Sequence, residues 1–377
     1  MENHHWIYGF AAVLFAGLLS FATTPAVRVL AYKIGAIDIP ADKRRMHKHP
    51  VPRIGGLAIF IAFVATTLVF CTYDATLTAI WIGGTILVAL GLLDDVLRIN
   101  AWVKLFVQII AALIALSLGV KIEHFNLAGN YINLGNWSFV ITMLWIVGLT
   151  NAVNFIDGLD GLACGVSTIS SLSLLVVTLR VGEPSFALLT AILAASCLGF
   201  LPFNSNPAKI FMGDTGALFL GFSLAVISIS GVFKTHMILS FMIPIAIFGF
   251  PIFDTLYAVI RRLLHGKSPF CADRGHLHHR LVDMGFGQRQ SVRILYAVCG
   301  ILGISGIMLT QEHLYKSTLM IIVALIIFAV YFLIFKNPST REQSGIFNAD
   351  RPDRHMMRNR SKKKNKDNDK DKNNDHT

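Results

Sequence analysis

The chain has 377 residues, 54% hydrophobic and only 15% charged, and its 33 Lys and Arg outnumber 22 Asp and Glu to leave a formal net charge of +11. Soluble domains carry about 25% charged residues, so this composition excludes an ordinary water-soluble fold and points to an all-α polytopic membrane protein solvated by lipid. The basic surplus sits in segments between apolar runs, as positive-inside bias requires, and no nucleic-acid partner is expected.

A helix needs about 20 apolar residues to cross roughly 30 Å of hydrocarbon. In chain order the runs 6–30, 55–72, 76–93, 101–120, 137–153, 161–180, 185–203, 213–232, 237–258, 293–310 and 317–335 are read as spans, about eleven in all. The first has no basic region before it and exceeds signal-peptide length, so it is read as a retained span. Together these runs make one transmembrane domain over 1–337. From 338 to 377 the composition turns polar and of low complexity, ending RSKKKNKDNDKDKNNDHT, and a disordered charged tail is expected. The five cysteines are scattered without a CxxC pair, which suggests neither a disulfide framework nor a thiolate metal site.

If odd-numbered spans run from outside to inside, the inner segments carry 26 Lys or Arg and the outer ones only Lys121, Arg180, Lys234 and Lys316. Bias of that size predicts an N-terminus outside and a C-terminus in the cytoplasm. It also puts every polar motif of the chain on the cytoplasmic face, where a soluble, charged substrate would be met.

The first motif is the basic loop Asp42–Gly56, whose prolines and Gly55-Gly56 pair predict a shaped loop in which Lys48 or Arg53 meets a phosphate. Asp94-Asp95 follows at the inner end of a span. Two adjacent carboxylates there cannot both ionise cheaply without a cation, and Mg²⁺ would compensate them; Arg98 and Lys104 are the simpler counter-charges.

In Asn151-Ala-Val-Asn154-Phe-Ile-Asp157-Gly-Leu-Asp160-Gly161 amides and acids recur every three residues. If the span end stays helical, Asn151, Asn154 and Asp157 share a face, and Gly158 and Gly161 permit a tight exit. The next motif, Phe203 to Gly216, offers Asn204, Lys209, Phe211 as a stacking face for a base, and Asp214 as helix cap and metal ligand. The last, Ser268 to Arg280, holds His276, His278 and His279 beside Arg274 and Arg280. Zinc is one reading of three histidines, but no cysteine joins them in a ligand pattern. Oxygen ligands dominate the other motifs, so Mg²⁺ with a diphosphate or sugar clamp is preferred.

Taken jointly, the R-x-H-x-x-P-x-P-R-x-G-G loop at 45–56, Asp94-Asp95, NAVNFIDGLDGL, FNSNPAKIFMGDTG and DRGHLHHRL resemble the polyprenyl-phosphate N-acetylhexosamine-1-phosphate transferases (glycosyltransferase family 4). Five ordered motifs between residues 38 and 281 carry the resemblance. Where the phospho-MurNAc-pentapeptide translocase branch has three consecutive histidines, this chain has His276-Leu277-His278-His279-Arg280, which resembles the branch that uses UDP-N-acetylglucosamine (UDP-GlcNAc).

The resemblance implies a bacterial plasma-membrane enzyme with its site on the cytoplasmic face. It implies Mg²⁺ dependence, with Mn²⁺ as a substitute, undecaprenyl phosphate as acceptor and UMP as product. Membrane lipid surrounds such enzymes, and a homodimer would fit the translocase relatives. Carried over by position, Asp214 is the metal ligand and Asp94 and Asp95 are the essential acidic pair that meets the lipid phosphate or the metal. Asp157 and Asp160 fall at catalytic positions, with Asn151 and Asn154 beside them. Asn204 and Phe211 match a nucleoside pocket, and His276, His278, His279 and Arg280 the sugar-phosphate side. The alternatives are the translocase itself and, from another class, an ion-coupled secondary transporter. A transporter would place its acids near the midplane, often within inverted repeats; here they gather at one face without a repeat.

Overall fold

The computed structural model describes residues 2–39, 50–127, 130–233, 240–266, 276–310 and 322. The 338–377 tail, Lys48 with most of its basic loop, Asp273, Arg274 and, apart from Ile322, the expected span 317–335 lie outside those residues.

Twelve helices are assigned among the described residues. They are α1 (Glu2–Ile34), α2 (Gly56–Phe70), α3 (Ala75–Leu97), α4 (Ala101–Ser117), α5 (Trp137–Phe155), α6 (Leu162–Val181), α7 (Pro184–Asn204), α8 (Gly213–Ser228), α9 (Met242–Ile247), α10 (Gly249–Leu264), α11 (Leu277–Asp283) and α12 (Gln288–Met308). Seven of these (α1, α3, α5, α6, α7, α12 and α8 with the π-helical turn Ile229–Phe233 that extends it) are long and apolar enough to cross a membrane. Helices α2 and α4 are apolar but shorter. At 1.5 Å per residue they rise about 22 and 26 Å, less than the roughly 30 Å hydrocarbon core. The chain is thus a multi-pass helical membrane protein.

The reading of 237–258 as one span is corrected. The chain breaks at Phe248 into six-residue α9 and α10, and α10 runs on to Leu264. One side of α10 buries Asp254, Ala258 and Arg262 while Phe253, Leu256, Ile260 and Leu263 stay exposed. Hydropathy averaged over the run hides that two-sidedness.

Helix α8 forms the centre. Apart from Asp214 it is buried, and it packs against α3, α5 and α2, with α6 and α7 stacked on one another, α1 on α7 and α2, and α12 on α6 and α9. The approach of α3 to α8 depends on Gly91, since a Cβ there would overlap the backbone of Thr215. Caps define the starts of α3 and α4: Asp74 accepts from Leu77 N at 2.6 Å and Asn100 from Trp102 N at 3.0 Å.

Strand structure is slight. β1 (Ile37–Asp38) pairs antiparallel with β2 (Val51–Pro52), and β3 (His124–Leu127) pairs with β4 (Asn130–Asn133) in the register His124 to Asn133. The β1–β2 pair has a positional consequence, because it delivers Arg53, Gly55 and Gly56 to the start of α8.

Candidate active site

The site grows from the N-terminus of α8. A helix start leaves backbone N–H groups without intrahelical partners. Here Asp95, from α3, supplies the acceptors: its carboxylate takes hydrogen bonds from Asp214 N at 3.2 Å, Thr215 N at 3.2 Å and Thr215 Oγ1 at 2.8 Å. On the other side Gly56 N donates to Met212 O at 2.8 Å, Gly55 N to Phe211 O at 2.9 Å and Phe211 N to Pro52 O at 2.8 Å. Gly213 sits at φ +71, where a side chain would overlap the Arg53 carbonyl and the Asp95 carboxylate. The two loops and the end of α3 are therefore locked around α8's first turn.

Asp94 faces elsewhere. Its Oδ1 accepts from Ile99 N at 2.6 Å, and its Oδ2 accepts from Lys104 Nζ at 3.1 Å. The same ammonium donates to Asp214 Oδ2 at 2.8 Å. Asp94 and Asp214 lie within hydrogen-bonding reach of each other, and Asn154, the penultimate residue of α5, reaches Asp214. Four helices thus place two carboxylates, an amide and one ammonium together.

Asp157 lies past the end of α5 rather than on its helical face, as the three-residue spacing had suggested, because the helix stops at Phe155. It is half-buried, and burial of its carboxyl together with the charges of Asp214 and Asp95 pushes it up to about 8, with Arg53 opposing. Arg53 itself is partly exposed and lies 3.9 Å from Asp38.

Other expected site residues prove to hold the walls. Asp160 Oδ2 accepts from Asn206 Nδ2 at 2.9 Å and Ala208 N at 3.0 Å. Asn206 is held further by Gln288 Oε1, to which it donates at 2.8 Å, and by Arg289 Nε, which donates to its carbonyl at 3.0 Å. Tyr296 Oη donates to Gly161 O at 2.6 Å. Through these contacts α12 braces both loops.

Asn204 is buried, donates to Ile210 O at 3.1 Å, and leaves its Oδ1 without a hydrogen-bond partner. The Asn151 amide is taken up by Gln108, at 2.5 and 3.3 Å, and by Val147 O at 2.8 Å. These contacts tie α5 to α4 and to its own preceding turn. Phe211 is half-buried beside the start of α8.

The histidine segment closes the opposite side. Asp254 Oδ2 lies 2.8 Å from His276 Nδ1, and Asp254 Oδ1 accepts from Leu277 N at 2.8 Å. The other ring nitrogen of His276 faces Arg262 Nη2 at 3.4 Å. His276 stacks on His278 at 5.7 Å and 12°, and His278 meets His279 at 4.2 Å. His278 is 1% exposed, neither of its ring nitrogens has a hydrogen-bond partner, and a Cβ at Gly158 would overlap its Nε2. Its imidazole therefore points at the Asp157–Gly158 turn. Arg280 donates to Tyr257 Oη at 3.1 Å and lies over that ring.

The structure brings together Asp94, Asp214 and Asn154, with Asp157 and Arg53 in their electrostatic neighbourhood and His278 Nε2 against the Asp157–Gly158 turn. It gives Asp95, Asp160, Asn151, Asn204 and His276 positioning contacts instead of an open face. Lys104, expected only as a counter-charge to the acidic pair, bridges to Asp214 as well; a lone cation in an apolar helix was its one sequence signal. Asn206 lay in the 203–216 motif without being singled out, and Arg289 and Arg262 had no signal.

Among the described residues no three His, Cys, Asp or Glu side chains are gathered closely enough to hold a metal ion by themselves. Magnesium commonly takes one or two carboxylates and fills its octahedron with phosphate oxygens and waters. Asp94 and Asp214, already sharing one cation, fit that donor set. Asp95 does not, since both its oxygens serve the start of α8.

The family model described as Glycosyl transferase family 4 matches residues 77–232. The chain is 44% identical over 308 residues to a probable undecaprenyl-phosphate N-acetylglucosaminyl 1-phosphate transferase of Bacillus subtilis (strain 168), covering 81% of this chain and 86% of the relative. It is 34% identical over 326 residues to a decaprenyl-phosphate N-acetylglucosaminephosphotransferase of Mycolicibacterium smegmatis, covering 77% and 79%. It is 27% identical over 313 residues to an undecaprenyl-phosphate alpha-N-acetylglucosaminyl 1-phosphate transferase of Escherichia coli K12, covering 81% and 84%.

Proposed function

The chain belongs to glycosyl transferase family 4, and from that premise we propose that it transfers N-acetylglucosamine 1-phosphate from UDP-GlcNAc to undecaprenyl phosphate. The observation that carries the reading is the single ammonium of Lys104 shared by Asp94 and Asp214. A cation-centred pair of carboxylates at span ends suits a reaction between two phosphate compounds. The product is a lipid-linked sugar that starts a cell-wall or surface glycan, and the site faces the cytoplasm of a bacterial plasma membrane. The N-terminus then lies outside and the C-terminus inside, as the basic loops require.

A phosphate monoester has a second pKa of about 6, so the lipid phosphate arrives mostly ionised and needs alignment more than a strong base. One of its oxygens attacks the sugar-bearing phosphorus of UDP-GlcNAc. A new phosphorus–oxygen bond forms as the bond to the bridging oxygen breaks, and UMP departs with that oxygen. Asp94 and Asp214 would hold Mg²⁺, which when bound neutralises the diphosphate charge. Arg53 offers a cation at the rim of the acidic group, Asn154 orients Asp214, and the histidine segment faces the sugar-phosphate side.

The test is purified protein in detergent with Mg²⁺, undecaprenyl phosphate and a panel of UDP-sugars, scored by UMP release. Turnover with UDP-GlcNAc is expected. Turnover confined to UDP-MurNAc-pentapeptide, or none with any sugar nucleotide, would overturn the reading.

A further inference from the structure

The reaction assigned above leaves Asp254 unused, yet it is one of few carboxylates buried away from the acidic cluster. It is 6% exposed and arises from the middle of α10. An ionised carboxylate at such depth is retained only where hydrogen bonds satisfy it. Its two oxygens divide the work: one meets His276 Nδ1 and the other accepts the first backbone N–H of α11, each at 2.8 Å.

That geometry sets a tautomer. A carboxylate acceptor at Nδ1 puts the proton there and leaves Nε2 as an acceptor, and the atom facing Nε2 is a guanidinium nitrogen of Arg262 at 3.4 Å. His276 is itself 5% exposed, and Arg262 6%. With both nitrogens engaged and its ring packed near Phe155 at 5.9 Å, His276 has one fixed plane. His278 stacks nearly parallel to that plane, at 12°. Its own nitrogens are unsatisfied, and Nε2 is aimed at the turn that carries Asp157.

We propose that Asp254 is a positioning residue for the transfer reaction, acting through His276 to hold the His278 imidazole against the Asp157–Gly158 turn. The chain of contacts runs from α10 through one histidine to the next, and only the last member faces the site. Asp254 touches no reacting atom. Its effect on turnover is indirect, as with groups that orient a ligand from one shell further out, where loss costs about 10–100-fold. The inference rests on the transferase reading for its effect on activity, though not for its effect on the histidines.

The experiment uses the full chain in detergent and the variants Asp254→Asn, His278→Ala and the double variant. An asparagine amide can still accept from Leu277 N but presents a donor to His276, forcing the wrong tautomer against Arg262. Asp254→Asn is expected to lower kcat about 10–100-fold. It should also raise carbethoxylation of His278 by diethylpyrocarbonate, mapped by mass spectrometry. In the His278→Ala background the same change should cost no more than about twofold, because coupled sites are not additive.

Full multiplication of the two losses would overturn the proposal. So would an Asp254→Asn protein with unaltered His278 reactivity. If Asp254→Asn does not fold, Arg262→Gln takes its place, removing the other partner of His276 with the same expected rise in His278 reactivity. Should the wild-type protein transfer nothing, the reaction assigned above fails, while the carbethoxylation result still decides the role of Asp254.

Discussion

The carboxylate of Asp95 accepts from both the backbone N–H and the hydroxyl of Thr215, at 3.2 and 2.8 Å. It thereby caps from α3 a helix that begins 118 residues later, and its neighbour Asp94 does something different. Adjacent residues on a helix point about 100° apart, so Asp94 turns toward Lys104 while Asp95 enters the start of α8. The two acids should separate in stability measurements. Asp95→Ala strands two buried N–H groups and a hydroxyl, and is expected to cost about 2 kcal/mol or more. Thr215→Val should cost about 1 kcal/mol, and Asp94→Ala about as much, since it strands the single Ile99 N–H. Thermal unfolding of the purified variants decides it; equal losses for both aspartates would end the distinction.

Asp214 and Lys104 test the cation site. Asp214→Asn should lower transfer at least about 100-fold, as loss of a metal-holding carboxylate does, and weaken the response to Mg²⁺; near-normal turnover would sink the metal assignment. Lys104→Gln should act in the opposite sense on the metal. The ammonium occupies oxygens of Asp94 and Asp214 that a divalent ion would use. Its removal is expected to lower the half-saturating Mg²⁺ concentration about 2–10-fold, from the loss of one nearby positive charge. A Mg²⁺ titration of UMP release, paired with Mn²⁺ binding followed by electron paramagnetic resonance without substrate, measures both.

Much of this was legible because uninterrupted apolar runs report their own length. Spans α1, α3, α5, α6, α7, α8 and α12 fall where hydropathy puts them, give or take a few residues. The break at Phe248 is hidden from hydropathy, since Met242–Ile247 and the start of α10 are as apolar as a continuous helix; its sequence signal is Gly249 and Pro251, whose missing N–H cannot bond back to Ile247. The acidic motifs announced a site, but not which acid does what. Lys104 meets Asp214 across 110 residues, and Asp254 meets His276 across 22. Asp160 and Asn204 look like ligands in a list of polar residues. Only the packing of the 204–212 loop makes one a latch and the other an internal tie.

Gly158 gives a steric test. Its backbone is not in the left-handed region among the described glycines, so alanine is excluded by His278 rather than by φ. Gly158→Ala should displace that imidazole and cut turnover about tenfold, while overpacking costs about 1–3 kcal/mol of stability. In a His278→Ala background the new methyl has room, and the additional loss of activity should vanish. A Gly158→Ala defect that persists there would place its cause in the turn itself.

The same imidazole makes stability depend on pH. Burial, with His279 and His276 adding to it and Asp254 opposing, pushes His278 from its ordinary 6.5 down to about 3. Between those values the unfolded chain binds a proton at this position and the folded chain does not. The contribution of neutral His278 is therefore complete above about pH 6.5 and is lost as pH falls toward 3, by up to about 1.4 kcal/mol per unit. Other groups titrate over the same range, so the informative quantity is a difference. His278→Gln carries no proton to gain, and its unfolding midpoint should decline less between pH 7.5 and pH 5 than that of the wild-type protein. Parallel declines would mean that His278 already finds a proton partner in the folded state, and its nitrogens would then not be poised toward the Asp157 turn.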